Sequence, residues 1–428
     1  MVVFLSVIQF LCIIMIMIIE FNKKSPAVFL WATVFLMFGI MHMVSCIAGT
    51  NDFSDAVLNE ASLFVIGFCV VYAVTRILLL KGQISRPYPF MENGYLRNLA
   101  EGVKKNESIA CFAVLCASVA LYIADMAINL GGIGDTSWGA AFEIEKSYIN
   151  ASQIISLAYL LMTGLLLYAL MRRQYGYATV IAAVIVLKVL ISRNRVEIIP
   201  LFACLLGYYL IRRRRITVKL IVFCAVCACL VVYVVYALRA YRWYGTIDNF
   251  LQTATFQNFN EQILEFFRED SGELGLRKWF YFFIDGNNEF ENFGKGHSYL
   301  RVLLTFIPTR FSLGLKPEDF AQSMGAAIGM GAGGSMHPTL FGDVYANFGI
   351  WGILCGAFWA GYATLADKIM EFLKNDISIF FAYSICAYAY VVEGRGAVYN
   401  GNVMMAYGLV LLMVLYVAKR RVMFYVRK

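Results

Sequence analysis

Long apolar runs separated by short polar segments dominate the chain. A helix needs roughly 20 apolar residues to cross a bilayer, and about eleven runs approach that length. The predicted spans fall near residues 2–19, 27–48, 57–80, 108–130, 153–171, 176–192, 197–211, 216–238, 339–366, 378–393 and 397–418. The pattern therefore predicts an all-α polytopic membrane protein.

A long polar and aromatic block, residues 239–338, interrupts this series of spans. It divides the chain into a first group of eight spans (1–238), the block itself, and a final group of three spans with a basic tail (339–428). Residues 249–283 have a helix-like periodicity that predicts amphipathic helices lying on the membrane surface. The later part is rich in glycine and contains Pro308 and Pro317, which favour turns and loops.

Composition and charge agree with a membrane location. The chain has 428 residues, of which 61% are hydrophobic, and its formal net charge is +8; its mean hydropathy is +0.68. The basic residues form short clusters beside apolar runs, which favours a role in orientation and argues against a nucleic-acid partner.

The basic clusters alternate onto one face of the membrane. By the positive-inside rule that face is cytoplasmic, so the N-terminus is predicted outside, the C-terminus inside, and the long block outside. The residues that carry this prediction include Lys23, Lys24, Lys81, Arg86, Lys104, Lys105, Arg172, Arg173, Arg212, Arg213, Arg214, Arg215, Lys419, Arg420 and Arg421.

Charged residues at the outer ends of several spans are candidates for substrate binding. Arg193 and Arg195 lie in a turn between two apolar runs, Arg239 and Arg242 share a helix face, and Arg395 lies between the last two spans. Each could anchor its span at the lipid headgroups. Together they could instead form a cationic pocket, because arginine binds phosphate in a bidentate manner. An anionic, lipid-linked substrate would fit such a pocket.

Two residues near the start of the ninth span are candidate general bases. His337 precedes Pro338, and Asp343 follows by about two helical turns. An isolated histidine is often structural, but a neutral imidazole or a carboxylate can accept a proton from a sugar hydroxyl. The sequence contains no P-loop and no D-x-D pair for a metal-bound nucleotide sugar, so neither a cofactor nor a metal ion is predicted.

The segment IPTRFSLGLKP, followed by SMHPTLFGDVYANFGIWGILCG, resembles the oligosaccharide repeat-unit polymerases, that is, O-antigen polymerases of the Wzy type. The turn ISRNRVEIIPLF is similar to an arginine-containing motif of the same family. Two departures are Thr309 before Arg310 and Asp343 where glutamate is commoner. The matching residues of the first two segments are Ile307, Pro308, Arg310, Lys316, Pro317, Pro338, Asp343, Tyr345, Asn347, Phe348, Gly349 and Gly352.

The resemblance implies a membrane glycosyltransferase of the GT-C type in the bacterial inner membrane. Its substrate would be an undecaprenyl-pyrophosphate-linked oligosaccharide, which it would polymerise at the outer face into O-antigen or a similar glycan. Arg310 would join the substrate-binding arginines, and a chain-length regulator is an implied partner. An O-antigen ligase, which shares the fold, and a non-enzymatic flippase or transporter are the alternatives.

Overall fold

The computed structural model describes residues 1–102, 111–121, 149–192, 198–213, 217–244, 247–268, 274–289, 295–307, 311–327, 336–396 and 398–426. The described residues are helical, without a strand among them. Six helical segments within them are long and apolar enough to cross a membrane, which confirms an all-α polytopic membrane protein. They are Val2–Lys23, Val28–Ala48, Asp55–Leu79, Val218–Tyr241, Thr339–Phe372 and Val398–Lys419. The expected number of about eleven spans and the GT-C type stay predictions.

The helices follow the apolar runs closely. In chain order they are α1 Val2–Lys23, α2 Val28–Val34, α3 His42–Ala48, α4 Asp55–Leu79, α5 Asn93–Glu101, α6 Cys111–Leu121, α7 Ile149–Met171, α8 Tyr175–Ser192, α9 Ile199–Arg212, α10 Val218–Trp243, α11 Ile247–Thr253, α12 Phe256–Arg268, α13 Lys278–Asp285, α14 His297–Leu303, α15 Phe320–Ala327, α16 Thr339–Phe348, α17 Cys355–Phe372, α18 Ser378–Arg395 and α19 Val398–Val426. A π-helical turn, Phe35–Met41, joins α2 to α3, and a 3₁₀ turn, Gly349–Leu354, joins α16 to α17.

The chain forms two compact units. The first unit comprises Met1–Tyr88, Gly272–Glu371 and Ala389–Leu409. The second comprises Pro89–Ser271, Phe372–Tyr388 and Val410–Lys428.

An aromatic cluster forms the core of the first unit. The rings of Phe38 and Phe341 lie 4.9 Å apart between centroids, and those of Phe64 and Phe280 lie 5.4 Å apart. Phe280 belongs to α13, which the periodicity predicted as a surface helix. Its helical state is as predicted, but Phe280, Tyr281 and Phe283 are buried against the other helices of the unit.

A buried ionic cluster joins the ends of three helices in the first unit. Arg76 of α4 donates two hydrogen bonds to Glu20 of α1, at 2.9 and 2.8 Å, and a third to Asp367 of α17, at 2.5 Å. All three side chains are buried. The C-terminal ends of α1, α4 and α17 therefore lie on the same side of the unit, as the alternating basic clusters predicted. Which side of the membrane this is stays a prediction.

In the second unit, α7 and α9 pack closely, and α12 lies along α10. The thiol of Cys204 donates to the carbonyl of Thr163 at 3.3 Å. Tyr233 of α10 donates to Asn260 of α12 at 2.9 Å, and Ile263 of α12 is buried. Phe256 and Leu264 on the same helix are exposed, so α12 leaves part of its apolar surface uncovered, in line with the predicted amphipathic helix.

Candidate active site

A narrow recess opens in the first unit where α14, α15 and α16 meet the turn between α18 and α19. The chain reaches this arrangement through a tight turn at Gly396, whose φ is +103°. A Cβ at Gly396 would lie 2.0 Å from the backbone nitrogen of Thr339, the first residue of α16. Only glycine permits this approach. The recess is lined by, among others, Ser298, Arg301, Asp319, Asp343, Gly396 and Tyr399.

Asp343 lies at the inner wall of the recess and is held by an oriented polar network. Its side chain is buried. The amide nitrogen of Asn347, one helical turn further along α16, donates to Asp343 Oδ1 at 2.8 Å and contacts Ser298 Oγ at 2.7 Å. Ser298 is joined to the same network, since its backbone amide donates to Asn347 Oδ1 at 3.3 Å. Because residues four apart share a helix face, the Asp343–Asn347 pair of the sequence motif becomes one fixed polar unit.

Two cations lie against the ring of Tyr399, which also lines the recess. The guanidinium of Arg301 lies 4.2 Å from the ring centroid of Tyr399, and Lys316 Nζ lies 5.4 Å from it. Arg301 also donates to the carbonyl of Pro317, and Lys316 to that of Ile307 at 2.9 Å. The electron-rich face of the Tyr399 ring attracts both cations. The buried carboxylate of Asp343 and the guanidinium of Arg301 therefore line one recess, and Lys316 lies beside its Tyr399.

A series of polar contacts runs from Thr305, two residues beyond the end of α14, to residues of α17, α18 and α19. Thr305 Oγ1 accepts from Asn402 at 2.8 Å, and Tyr362 lies 3.0 Å from Asn402 Oδ1 and 3.1 Å from Glu393 Oε1. Glu393 is fully buried, and its Oε2 has no hydrogen-bond partner among the described residues. Ionisable groups buried among membrane spans are costly and are often functional.

The structure separates the two candidate bases. Asp343 lines the recess, whereas His337 is half-buried six residues earlier and is not among the described residues that line it. Arg395 is half-buried at the end of α18, directly before Gly396.

The other arginines are placed only in part. Arg239 lies half-buried on α10 in the second unit. Arg193, Arg195 and Arg310, together with the side chain of Arg242, lie outside the described residues. The predicted convergence of the arginines on one substrate therefore stays a prediction.

Arg301, Tyr399 and Ser298 were not among the residues predicted from the sequence. Lys316 was noticed only as part of the matching motif. A signal for Arg301 was available in principle, because it is a charged residue in the otherwise apolar stretch LRVLLTF. Its position beside Asp343 depends on how α14 packs, which local pattern does not reveal.

Comparisons with known proteins leave the family open. No protein-family model, no curated protein and no solved structure matches this chain.

Proposed function

We propose that the chain is a membrane glycosyltransferase that polymerises undecaprenyl-pyrophosphate-linked repeat units at the outer face of the bacterial inner membrane. The observation that carries the proposal is the recess in which Asp343 lies with Arg301, beside Lys316 and Tyr399. The motif resemblance, which includes Asp343 and Lys316, supports the same reading. The N-terminus would lie outside and the C-terminus in the cytoplasm.

In the proposed reaction Asp343 is the general base. Its carboxylate accepts the proton of the acceptor sugar's hydroxyl, and the freed oxygen attacks the anomeric carbon of the donor glycan. The bond between that carbon and the pyrophosphate oxygen breaks, and its electron pair leaves with the pyrophosphate. The proton then passes from Asp343 to water. Such a base contributes typically 10²- to 10⁴-fold to a rate.

Arg301 and Lys316 would stabilise the charge that develops on the leaving pyrophosphate. Donors and cations held in advance near a developing charge need no reorganisation during the reaction. The Tyr399 ring and the carbonyl of Pro317 hold the guanidinium of Arg301, and a guanidinium can bind phosphate oxygens in a bidentate manner. Asn347, itself held by Ser298, would keep the Asp343 carboxylate in the orientation that accepts the proton.

Six arginines remain proposed contributors to binding of the lipid-linked substrates. They are Arg193, Arg195, Arg239, Arg242, Arg310 and Arg395. His337 remains a second candidate base, and substituting it alone would separate the two: the proposal assigns the larger loss to Asp343.

The test is elongation in proteoliposomes that contain the purified protein and a purified lipid-linked repeat unit. Asp343→Asn should lower the elongation rate at least about 100-fold. Glu318→Gln is the matched control, because Glu318 is an exposed carboxylate nearby in the chain, and it should elongate normally. Elongation by Asp343→Asn at the wild-type rate would refute the assignment of the base.

The same preparation distinguishes the alternative functions. A wild-type protein that transfers glycan only to lipid A core would be a ligase. A protein that reorients the lipid-linked substrate across the bilayer without forming a new glycosidic bond would be a transporter. Either outcome would contradict the proposed polymerase.

A further inference from the structure

An apolar turn of the first unit exposes an unusual number of large hydrophobic side chains. Residues 303–307 and 311–315 begin at the last residue of α14 and precede α15. Leu313 is 91% exposed and Leu303 is 76% exposed. The others that share this exposure are Phe306, Ile307, Phe311 and Leu315. A turn in water would lose stability from so much uncovered apolar surface.

Helix α14, which leads into this segment, contacts α17. The indole nitrogen of Trp359 donates to the hydroxyl of Tyr299 on α14 at 3.3 Å. Trp359 precedes Asp367 by eight residues, which is about 12 Å along a helix. Asp367 belongs to the ionic cluster at the far end of the unit. Tyr299 of α14 therefore contacts α17 about 12 Å along that helix from the ionic cluster.

The turn itself lies beside α19. Thr305 accepts a hydrogen bond from Asn402, and the hydroxyl of Tyr407 donates to the carbonyl of Thr305 at 3.1 Å. The rings of Phe306 and Tyr407 lie 5.3 Å apart. Asn402 is four and Tyr407 nine residues beyond Val398, so these contacts lie about 6 to 13 Å along the span. Thr305 and Phe306 are thus level with the interior of α19, not with its end.

The backbone of the turn suits a non-aqueous surrounding. Irregular backbone is tolerated at membrane depth only where its polar groups are satisfied by the protein or by water in a cavity. Here Tyr407 satisfies the carbonyl of Thr305, Lys316 that of Ile307 and Arg301 that of Pro317. The amide of Thr305 donates to the carbonyl of Val302 in α14, and the amides of Ile307 and Leu315 donate to carbonyls within the turn.

We infer that residues 303–307 and 311–315 form a re-entrant turn whose exposed apolar side chains contact the acyl chains of the bilayer. Arg301 and Lys316 flank the turn, and both lie against Tyr399, the second residue of α19. The partner of this surface is therefore lipid, and the turn forms one wall of the protein next to the recess. Contact with lipid does not require the proposed transferase activity, so a test can refute either proposal without refuting the other.

Single cysteine substitutions in proteoliposomes test this inference. Leu313→Cys and Leu303→Cys replace exposed residues of the turn, and Glu318→Cys is the matched control three residues beyond Leu315. The parent protein, with its native thiols, provides the background. A negatively charged maleimide should react at least tenfold more slowly with Leu313→Cys and Leu303→Cys than with Glu318→Cys. After labelling with bimane in detergent and reconstitution, lipids brominated on the acyl chain should quench both turn variants and leave Glu318→Cys unquenched.

Two outcomes would overturn the inference. Equal maleimide reactivity at all three positions would place the turn in water. Protection from maleimide without quenching by brominated lipid would show that protein, such as a second copy of the chain, covers the turn.

Discussion

Replacing Arg76 should destabilise the first unit more than any surface substitution. Arg76 is fully buried between two carboxylates, Glu20 and Asp367, that are also buried. Its guanidinium donates two hydrogen bonds to Glu20, one to Asp367 and one to Thr364 at 2.7 Å. Arg76→Met keeps most of the side-chain volume and removes the only one of these groups that carries a positive charge.

The expected loss follows from the two acids that remain. Removing one partner of a buried ion pair typically costs about 3–5 kcal/mol, because the remaining charge has lost its partner and cannot regain water. Here two carboxylates are left. The first unit has about 200 residues, and at that size each kcal/mol shifts Tm by roughly 2–4 °C. Arg76→Met should therefore lower Tm by about 6–20 °C.

The assay is thermal unfolding of the purified protein in detergent, followed by size-exclusion chromatography of the fraction that stays monodisperse. Arg97→Met is the control, since Arg97 forms an exposed pair with Glu101 at 2.7 Å and such pairs contribute about 0.3–0.5 kcal/mol. Adding Glu20→Gln and Asp367→Asn to Arg76→Met should recover much of the loss, because the buried charges are then gone. The reasoning is refuted if Arg76→Met is no less stable than Arg97→Met.

Further predictions concern the polar chain, a buried lysine and a tight turn. Tyr362→Phe removes the hydroxyl that lies against Glu393 Oε1, and unfolding in detergent should show a loss of about 1–3 kcal/mol. Burial lowers the pKa of Lys24 to about 8 in the folded protein, whereas the ordinary pKa of a lysine is ~10.4. Between these two pH values the unfolded state therefore binds more protons than the folded state does. Stability should rise with pH across that window, and Lys24→Met should flatten the rise in a series of Tm measurements. Gly396→Ala should abolish monodisperse expression, because its Cβ would collide with the backbone of α16, whereas Gly361→Ala has open space around it and should behave as wild type.

Hydrophobic pattern predicted the helices well because a span is a local feature. An apolar run such as Val2–Lys23 needs no distant residue to become a helix, since its backbone hydrogen bonds lie within the segment. The same reasoning located α4 and the start of α16. It failed for α13, whose aromatic residues read as one face of a surface helix. Phe280 is instead buried against Phe64 and Phe341, which come from distant parts of the chain.

The candidate site was predictable only in part for the same reason. Asp343 and Asn347 are one turn apart on a helix, so their spacing in the sequence already indicates a shared face. Arg301 and Tyr399 are about a hundred residues apart, and nothing local to either indicates their stacking. Glu20, Arg76 and Asp367 each lie near the end of an apolar run, and nothing local to any of them indicates the other two as partners. Their pairing depends on the packing of three helices.

The central claim is that the cations of the recess hold the pyrophosphate while Asp343 performs the proton transfer. The most direct measurement is the affinity of the purified protein for undecaprenyl pyrophosphate, compared among wild type, Arg301→Ala, Asp343→Asn and the surface control Arg97→Ala. A charge-assisted hydrogen bond contributes about 1.5–3 kcal/mol, so Arg301→Ala should weaken binding roughly 10- to 150-fold. Asp343→Asn and Arg97→Ala should bind as wild type does, although Asp343→Asn cannot elongate glycan. Wild-type affinity in Arg301→Ala would contradict the account.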